Sequence, residues 1–382
     1  MAPLALRLLS RNPDFDMSYT SDALRGQWSK PSDAFSVLLI LGGDVIGRAL
    51  AQLTGSGFAP VTFSFGWVSY SVSALLSAMG ENKLMPPNPD CKCKVINAKN
   101  GYSRENTSWI LGRIIRDYEF WMHPKIAEKT NEVLAKKMEE ARLPAKPSIS
   151  GLVVSIYEPD ETNEAKTVKN DIVYWSGVGS ILLQLGVAVI PLGLYGDWGV
   201  LVITAAGVCL AIATSLLPQW KREKWACREK SKDPYILTRG NGTQHALIIL
   251  GNRHGLNLED LASGQDNVTA NATPFTCVAL SILSVLWILL LITATGLTEN
   301  TWFLLAVGLI GIVQNTFAAS AARRPSNFGI PLQFVEVIGE TKVMETLYAV
   351  EEKYPGIGRN MLNEFFTGEL RPDEKEKWRI GT

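Results

Sequence analysis

The charges of this chain are spaced very unevenly, and that spacing limits what it can fold into. Six windows of about twenty residues hold almost no ionisable side chain, while the segments between them are dense in Lys, Arg, Asp and Glu. The windows run from Phe35 to Leu53, Phe58 to Ala78, Ile172 to Leu192, Trp198 to Leu217, Phe275 to Leu297 and Trp302 to Ala322. Each is long enough to cross ~30 Å of hydrocarbon at ~1.5 Å per residue. One such window fits a buried helix of a soluble protein. Six of them in a chain of 382 residues fit membrane spans better.

Short connections join the windows in pairs, "TGSG", "GLYGDWG" and "GLTEN", and short connections force antiparallel neighbours. The expected fold is a polytopic α-helical membrane protein, with six transmembrane helices in three hairpins and a small cytosolic α+β domain. The segments are a cytosolic N-terminal stretch (1–34), hairpins at 35–78, 172–217 and 275–322, cytosolic loops at 79–171 and 218–274, and a cytosolic tail (323–382). Of the 37 Lys and Arg residues, 4 precede the first window, 15 lie in the first long loop, 8 in the second and 9 in the tail, and the last is Arg48, within the first window. The three turns hold none, so the positive-inside rule puts both termini and both long loops in the cytosol. Lys83, Lys169, Lys221, Arg222, Arg323 and Arg324 sit near the window ends, where the rule is strongest.

This topology has chemical consequences. The glycosylation acceptors at Asn106, Asn241, Asn267 and Asn271 face the cytosol and are expected to stay bare. Cys209 and Cys277 lie in spans, and Cys91, Cys93 and Cys227 face a reducing compartment, so no disulfide framework is expected. No secretory signal is evident at the N-terminus, and a net charge of zero gives no reason to propose nucleic acid as a partner. The partners expected instead are the bilayer and neighbouring membrane proteins or a second copy of the chain.

In the long segments, "CKVINA", "GLVVSIY", "HALIILG" and "LQFVEVIG" read as strands, and a sheet built from several loops would bury their apolar faces. From Ser103, "ENTSWILGRIIRDYEFW" has a helical pattern, suited to the membrane surface or to a packed core. Pro124 suits the first turn of a further helix through Arg142, and "TKVMETLYAVEEKY" reads as another. The segments "GGDVIGRALAQLTG", "FSFGWVSYS", "VINAKNGYSRENTSWILGRIIRDYEFWM", "LTRGNGTQHALIILGNRHGLNLEDLA" and "VEVIGETKVMETLYAVEEKYPGIG" resemble parts of a family of uncharacterised multi-pass membrane proteins of filamentous fungi. The resemblance implies a membrane location and a fungal source, and it brings no activity or catalytic residue with it.

Signatures of known chemistry are sparse. His123, His245 and His254 are too few and too scattered for the clustered-histidine metal sites of membrane desaturases and hydroxylases, no phosphate loop occurs, and "CKC" lacks a second pair of zinc ligands. No cofactor or metal is expected. "TRGNGTQH" and "GNRHG" flank "ALIILG" as a glycine turn flanks a strand in a nucleotide site, and ordinary turns explain those glycines equally well. His254 and Glu259 are a conceivable acid and base, with nothing in the sequence to bring them together. Pro191 is placed to break the third span, and the serines of the second suit either a polar path or hydrogen bonds to neighbouring helices.

One charged constellation falls within a window. "SVLLILGGDVIGRALAQL" could open a dinucleotide-binding domain, but Asp44 stands where a glycine should approach the pyrophosphate, and no acidic residue follows about twenty positions later. As a membrane helix, Gly43 and Gly47 form a small-x-x-x-small pair for helix packing, and Asp44 and Arg48 share a face four residues apart. They are expected to pair between helices as an intramembrane polar site. The functional expectation is an accessory, scaffold or small-solute transport component, with a membrane-bound enzyme of fungal metabolism as the alternative.

Overall fold

The computed structural model describes residues 42–55, 57–141, 151–264, 270–297, 299–366 and 369–380. The N-terminal segment 1–34, the start of the first window at 35–41, and Asn267 lie outside the described residues. In chain order, helices α1 (Gly43–Leu53) and α2 (Gly66–Gly80) precede strands β1 (Lys94–Asn97) and β2 (Ser103–Glu105). Helices α3 (Trp109–Arg116), α4 (Tyr118–Trp121) and α5 (Pro124–Glu140) follow, then β3 (Val153–Pro159). Next come α6 (Ile172–Tyr195), α7 (Gly199–Ser215), α8 (Pro218–Lys224), β4 (Glu229–Ser231), β5 (Tyr235–Thr238), β6 (His245–Ile249), β7 (Gly255–Leu256) and α9 (Leu258–Ala262). Helices α10 (Pro274–Thr295) and α11 (Thr301–Ser320), β8 (Leu332–Gly339), α12 (Val343–Lys353), α13 (Ile357–Phe365) and α14 (Pro372–Ile380) complete the described chain.

Among the described residues, α6, α10 and α11 are the three helices long and apolar enough to cross a membrane. A fourth span exists if α7 and α8, bent by 42° at the break between them, are taken together. Six spans in three hairpins are therefore not what this chain builds. The expected first hairpin loses both spans, since α1 has 11 residues and α2 has 15, short of the ~20 a crossing needs, and α7, with 17, counts only together with α8. Pro191, expected to break a helix, sits inside α6, which continues to Tyr195.

Residues 57–65, between α1 and α2, form neither helix nor strand. They pack into the bundle along glycines of its long helices. A Cβ on Gly311 would lie 1.8 Å from the Phe63 carbonyl oxygen, and one on Gly177 would lie 2.3 Å from that of Pro60. Gly207 and Gly308 likewise make room for the rings of Phe63 and Phe65. The N-termini of α1 and α2 meet deep in the bundle, where a Cβ on Gly66 would fall 2.4 Å from Gly42 Cα. From there α1 rises to Ala321, whose carbonyl accepts from Gln52 Nε2 at 2.8 Å. The chain leaving α2 reaches the start of α10, where the Asn82 carbonyl accepts from Ala272 N at 2.7 Å. Irregular backbone of this kind is tolerated in an apolar layer only when buried in protein with its polar groups bonded.

Six strands pair in the order β2-β1-β5-β6-β3-β8, and all four runs read as strands contribute to this sheet. The pairing is antiparallel except between β3 and β6. Because side chains alternate along a strand, Val95, Val153, Leu237 and Leu247 face one core while Ile96, Val154, Ile236 and Ile248 face another. The first core is closed by Trp109, Ile110 and Ile114 of α3 and reaches Ala51 of α1, so the α3 segment packs into a core. The second is closed by Leu347 and Val350 of α12 and Met361 of α13. Ser103 to Glu105 form the edge strand β2 where a helical pattern was expected, and the helix begins only after Ser108.

Candidate functional site

Asp44 and Arg48 do form an ion pair, Arg48 Nε to Asp44 Oδ2 at 3.1 Å. Both are exposed, with 78% and 47% of their side chains accessible, so the pair is not buried between helices as expected. The reason lies in the helix facing: α1 turns Ile46, Ala49, Leu50 and Leu53 inward, which leaves positions 44 and 48 outside. Arg48 also reaches Asp90 Oδ1 at 3.6 Å. Gly43 and Gly47 sit at close packing: a Cβ at each would meet Ser69 Oγ at 3.0 Å and the Tyr70 ring at 3.3 Å, respectively.

Within the bundle, polar side chains serve the irregular segment. Asn315 Oδ1 accepts from Thr62 N at 3.1 Å, and Asn315 Nδ2 donates to the Thr62 carbonyl at 3.0 Å. Gln184 Nε2 donates to the Phe63 and Val307 carbonyls at 2.7 and 2.8 Å. Ser71 and Ser73 bond back to carbonyls of their own helix at 2.8 and 2.9 Å. Asn315 and Gln184 thus satisfy backbone of segment 57–65, whereas the two serines bond within α2.

Where the bundle meets the sheet layer, buried cations cap helix ends. Lys224 Nζ donates to the carbonyls of Ala51, Gln52 and Thr54 at 3.0, 3.3 and 2.6 Å. Arg323 donates from Nη1 to the Gln52 carbonyl and from Nε to Asp171 Oδ2, both at 2.6 Å. Arg113 donates to the Ala319 carbonyl and pairs with Asp90 at 2.9 Å, and Arg116 donates to the Ser320 carbonyl at 3.1 Å. Helix C-termini leave carbonyls unpaired, and these basic side chains supply the missing donors. Arg323 was legible only as a charge that sets orientation; its burial depends on the fold.

The sheet layer holds a cavity of about 290 Å³ between α4 and the β5–β6 turn, lined by Tyr118, Glu119, Arg239, Thr243, Gln244 and His245 among others. The turn "RGNGT" keeps its shape because Gly240 and Gly242 adopt φ of +95° and +84°, open to glycine at little cost. Its hydroxyls are fixed from within, Thr243 Oγ1 donating to the Gly240 carbonyl at 2.8 Å. Arg239 commits one nitrogen to the Ile115 carbonyl at 3.1 Å and is otherwise exposed. Tyr118 donates to Ser155 Oγ at 2.7 Å, and its ring lies 5.4 Å from that of His245. Burial lowers the pKa of His245, and Arg239 pushes the same way against Glu119, so the imidazole is neutral near pH 7. His245 Nδ1 has no hydrogen-bond partner.

Other residues singled out in the sequence are not brought together. His254 lies 3.6 Å from Glu161, whereas Glu259 accepts from Asn97 at 2.9 Å. Among the described residues no three His, Cys, Asp or Glu side chains are grouped to hold a metal ion. Burial pushes the Cys93 thiol up to about 12, which makes it a poor nucleophile at neutral pH. No protein-family model, curated protein or solved structure matches the chain.

Proposed function

We propose that this chain is a membrane-seated accessory protein whose sheet layer binds a small polar ligand carrying an acidic group. The observation that carries this is the cavity of about 290 Å³, where Arg239, Thr243, Tyr118 and His245 converge on a layer clamped to the helix ends. A concave site with a few convergent polar groups is the general form of a small-molecule site. The exposed guanidinium of Arg239 supplies the charge for a carboxylate or phosphate, and the tilted tyrosine and histidine rings supply part of the wall. Asn315 and Gln184 spend their amide groups on backbone of the irregular segment, which favours a seat over a solute path.

Thermal unfolding of the full chain in mild detergent, against a panel of small carboxylates and phosphate esters, tests the proposal. A ligand that binds only the folded state raises the midpoint. At least one compound should do so, and Arg239→Gln should abolish the effect. A flat response across the panel, or equal stabilisation of the variant, would remove this site.

A catalytic role draws on one observation, the neutral His245 with its unpartnered Nδ1. Such a group can take a proton from a bound substrate. On that reading His245→Gln abolishes turnover of a stabilising compound while leaving its binding in place.

A further inference from the structure

A second cavity, of about 540 Å³, shares no lining residue with the first and lies where residues flanking α6 and α11, two helices long enough to cross a membrane, meet the sheet layer. Its walls are aromatic: Phe120, Trp121, Tyr157 and Phe334, with the His123 ring stacked on Phe334 at 4.3 Å. Lys169 and Arg324 also line it. Both are exposed, and neither has an ion-pair partner among the described residues. Asn327 links the two positions, donating to the Lys169 carbonyl at 3.1 Å and accepting from Arg324 N at 3.3 Å. The carboxylate of Asp160, also in the lining, accepts from Thr162 N, Thr162 Oγ1 and Asn163 Nδ2 on its own loop.

The position of these groups matters as much as their charge. Lys169 stands three residues before the start of α6, and Arg324 four residues after the end of α11. Asp171, the residue before α6, and Arg323, three residues past the end of α11, are tied to each other at 2.6 Å. Just inside, Ile172 and Trp175 are 78% and 61% exposed, the apolar and tryptophan surface expected where a helix enters hydrocarbon. Phe120, 62% exposed, adds an aromatic ring at the mouth of the cavity. Two exposed cations, of which Lys169 also feels the Asp160 carboxylate, an aromatic cleft and an adjacent apolar helix surface match an acidic amphiphile: phosphate to Lys169 and Arg324, glycerol against the rings, acyl chains along α6.

We infer that this cleft is a binding site for the headgroup of an anionic phospholipid. The inference rests on the membrane-seated reading above and goes beyond it, since it assigns a separate site with its own ligand. Native mass spectrometry of the full chain in mild detergent, with equal amounts of dioleoyl-phosphatidylglycerol and dioleoyl-phosphatidylcholine, reads it out. The wild type should retain the phosphatidylglycerol preferentially. Lys169→Gln with Arg324→Gln should reduce that retention about thirtyfold, at about fivefold per cation. A charge-matched control, Lys375→Gln with Lys377→Gln on α14, should leave it unchanged.

Equal retention of the two lipids by the wild type overturns the site, whether or not the double variant folds well. So does a double variant that keeps the preference. If millimolar inorganic phosphate strips the lipid as completely as the double substitution does, the cleft serves a soluble phosphate and the lipid assignment falls. An alkaline carbonate wash of membranes containing the full chain separates the two levels. A chain that washes off loses the membrane seat and the lipid site together, whereas one that stays without a lipid preference loses only the lipid site.

Discussion

Lys224 Nζ lies 2.6 Å from the carbonyl oxygen of Thr54, closing the C-terminus of α1 with a cation from α8. The same ammonium reaches Ala51 and Gln52, so one side chain serves three carbonyls that the helix itself cannot bond. Lys224→Met takes this donor from the Ala51 and Thr54 carbonyls, while the Gln52 carbonyl keeps Arg323 Nη1. A loss of about 1–3 kcal/mol is expected from the first unsatisfied group alone. Denaturant unfolding of the full chain in mild detergent should show it, with Lys224→Arg closer to the wild type. Equal midpoints for Met and wild type would take α1 capping out of the stability of the fold.

Asp90 and Asp44 offer a direct contrast, since one pairs with a buried arginine and the other with an exposed one. Asp90 sits 2.9 Å from Arg113, whose side chain is fully buried, and also meets Arg116 and Arg48. Asp90→Asn leaves the Arg113 guanidinium inside the protein without its counter-charge, at a cost of about 3–5 kcal/mol. Asp44→Asn removes one exposed partner and leaves Arg48 beside Asp90, so the change should stay within about 1 kcal/mol. Unfolding midpoints of the two variants under one condition decide the matter; a larger loss from Asp44→Asn would restore the first helix as the critical charged site.

These contrasts show what the sequence could reveal and what only the fold could. The strands at Val153 and His245 were legible because apolar and β-branched residues run together between turn residues. The uncoiled segment was hidden by its hydropathy, although "PVTFSF" carries the signal: a proline followed by strict alternation of apolar and hydroxyl residues, a period of two instead of 3.6. Its partners Asn315 and Gln184 lie more than a hundred residues away, so no local pattern announced them. The cavity was visible only as the glycine turn at Gly240 and Gly242, because Tyr118 reaches it from a different segment.

Glycine is needed at Gly311 for space and not for backbone freedom. A methyl group there would overlap the Phe63 carbonyl oxygen, and backbone cannot swing away as a side chain can. Gly311→Ala should therefore cost about 1–3 kcal/mol, the usual penalty for overpacking. Gly186, in α6, has nothing within 4 Å of the position its Cβ would take. Gly186→Ala should be neutral or stabilising by up to about 1 kcal/mol, because alanine has the better helix propensity. Thermal midpoints of the two variants test the packing of segment 57–65; equal effects would argue that this segment does not fill the groove.

His245 gives the sheet layer an acid-sensitive component. Its folded pKa is below the ordinary imidazole value, chiefly through burial, with Arg239 acting the same way and Glu119 opposing. The neighbouring Tyr118 phenol titrates far too high to take part. Below about pH 6.5 the unfolded chain binds a proton that the folded one resists, so stability falls as pH drops through that value. The fall levels off once the folded imidazole is itself protonated. His245→Gln removes this component and leaves the contributions of the carboxylates in place. The stability difference between wild type and variant, measured from pH 7.5 to pH 5, should therefore shift against the wild type on the acid side. A difference that stays constant with pH would mean that His245 is solvated in the folded chain and that the cavity is open to water at its base.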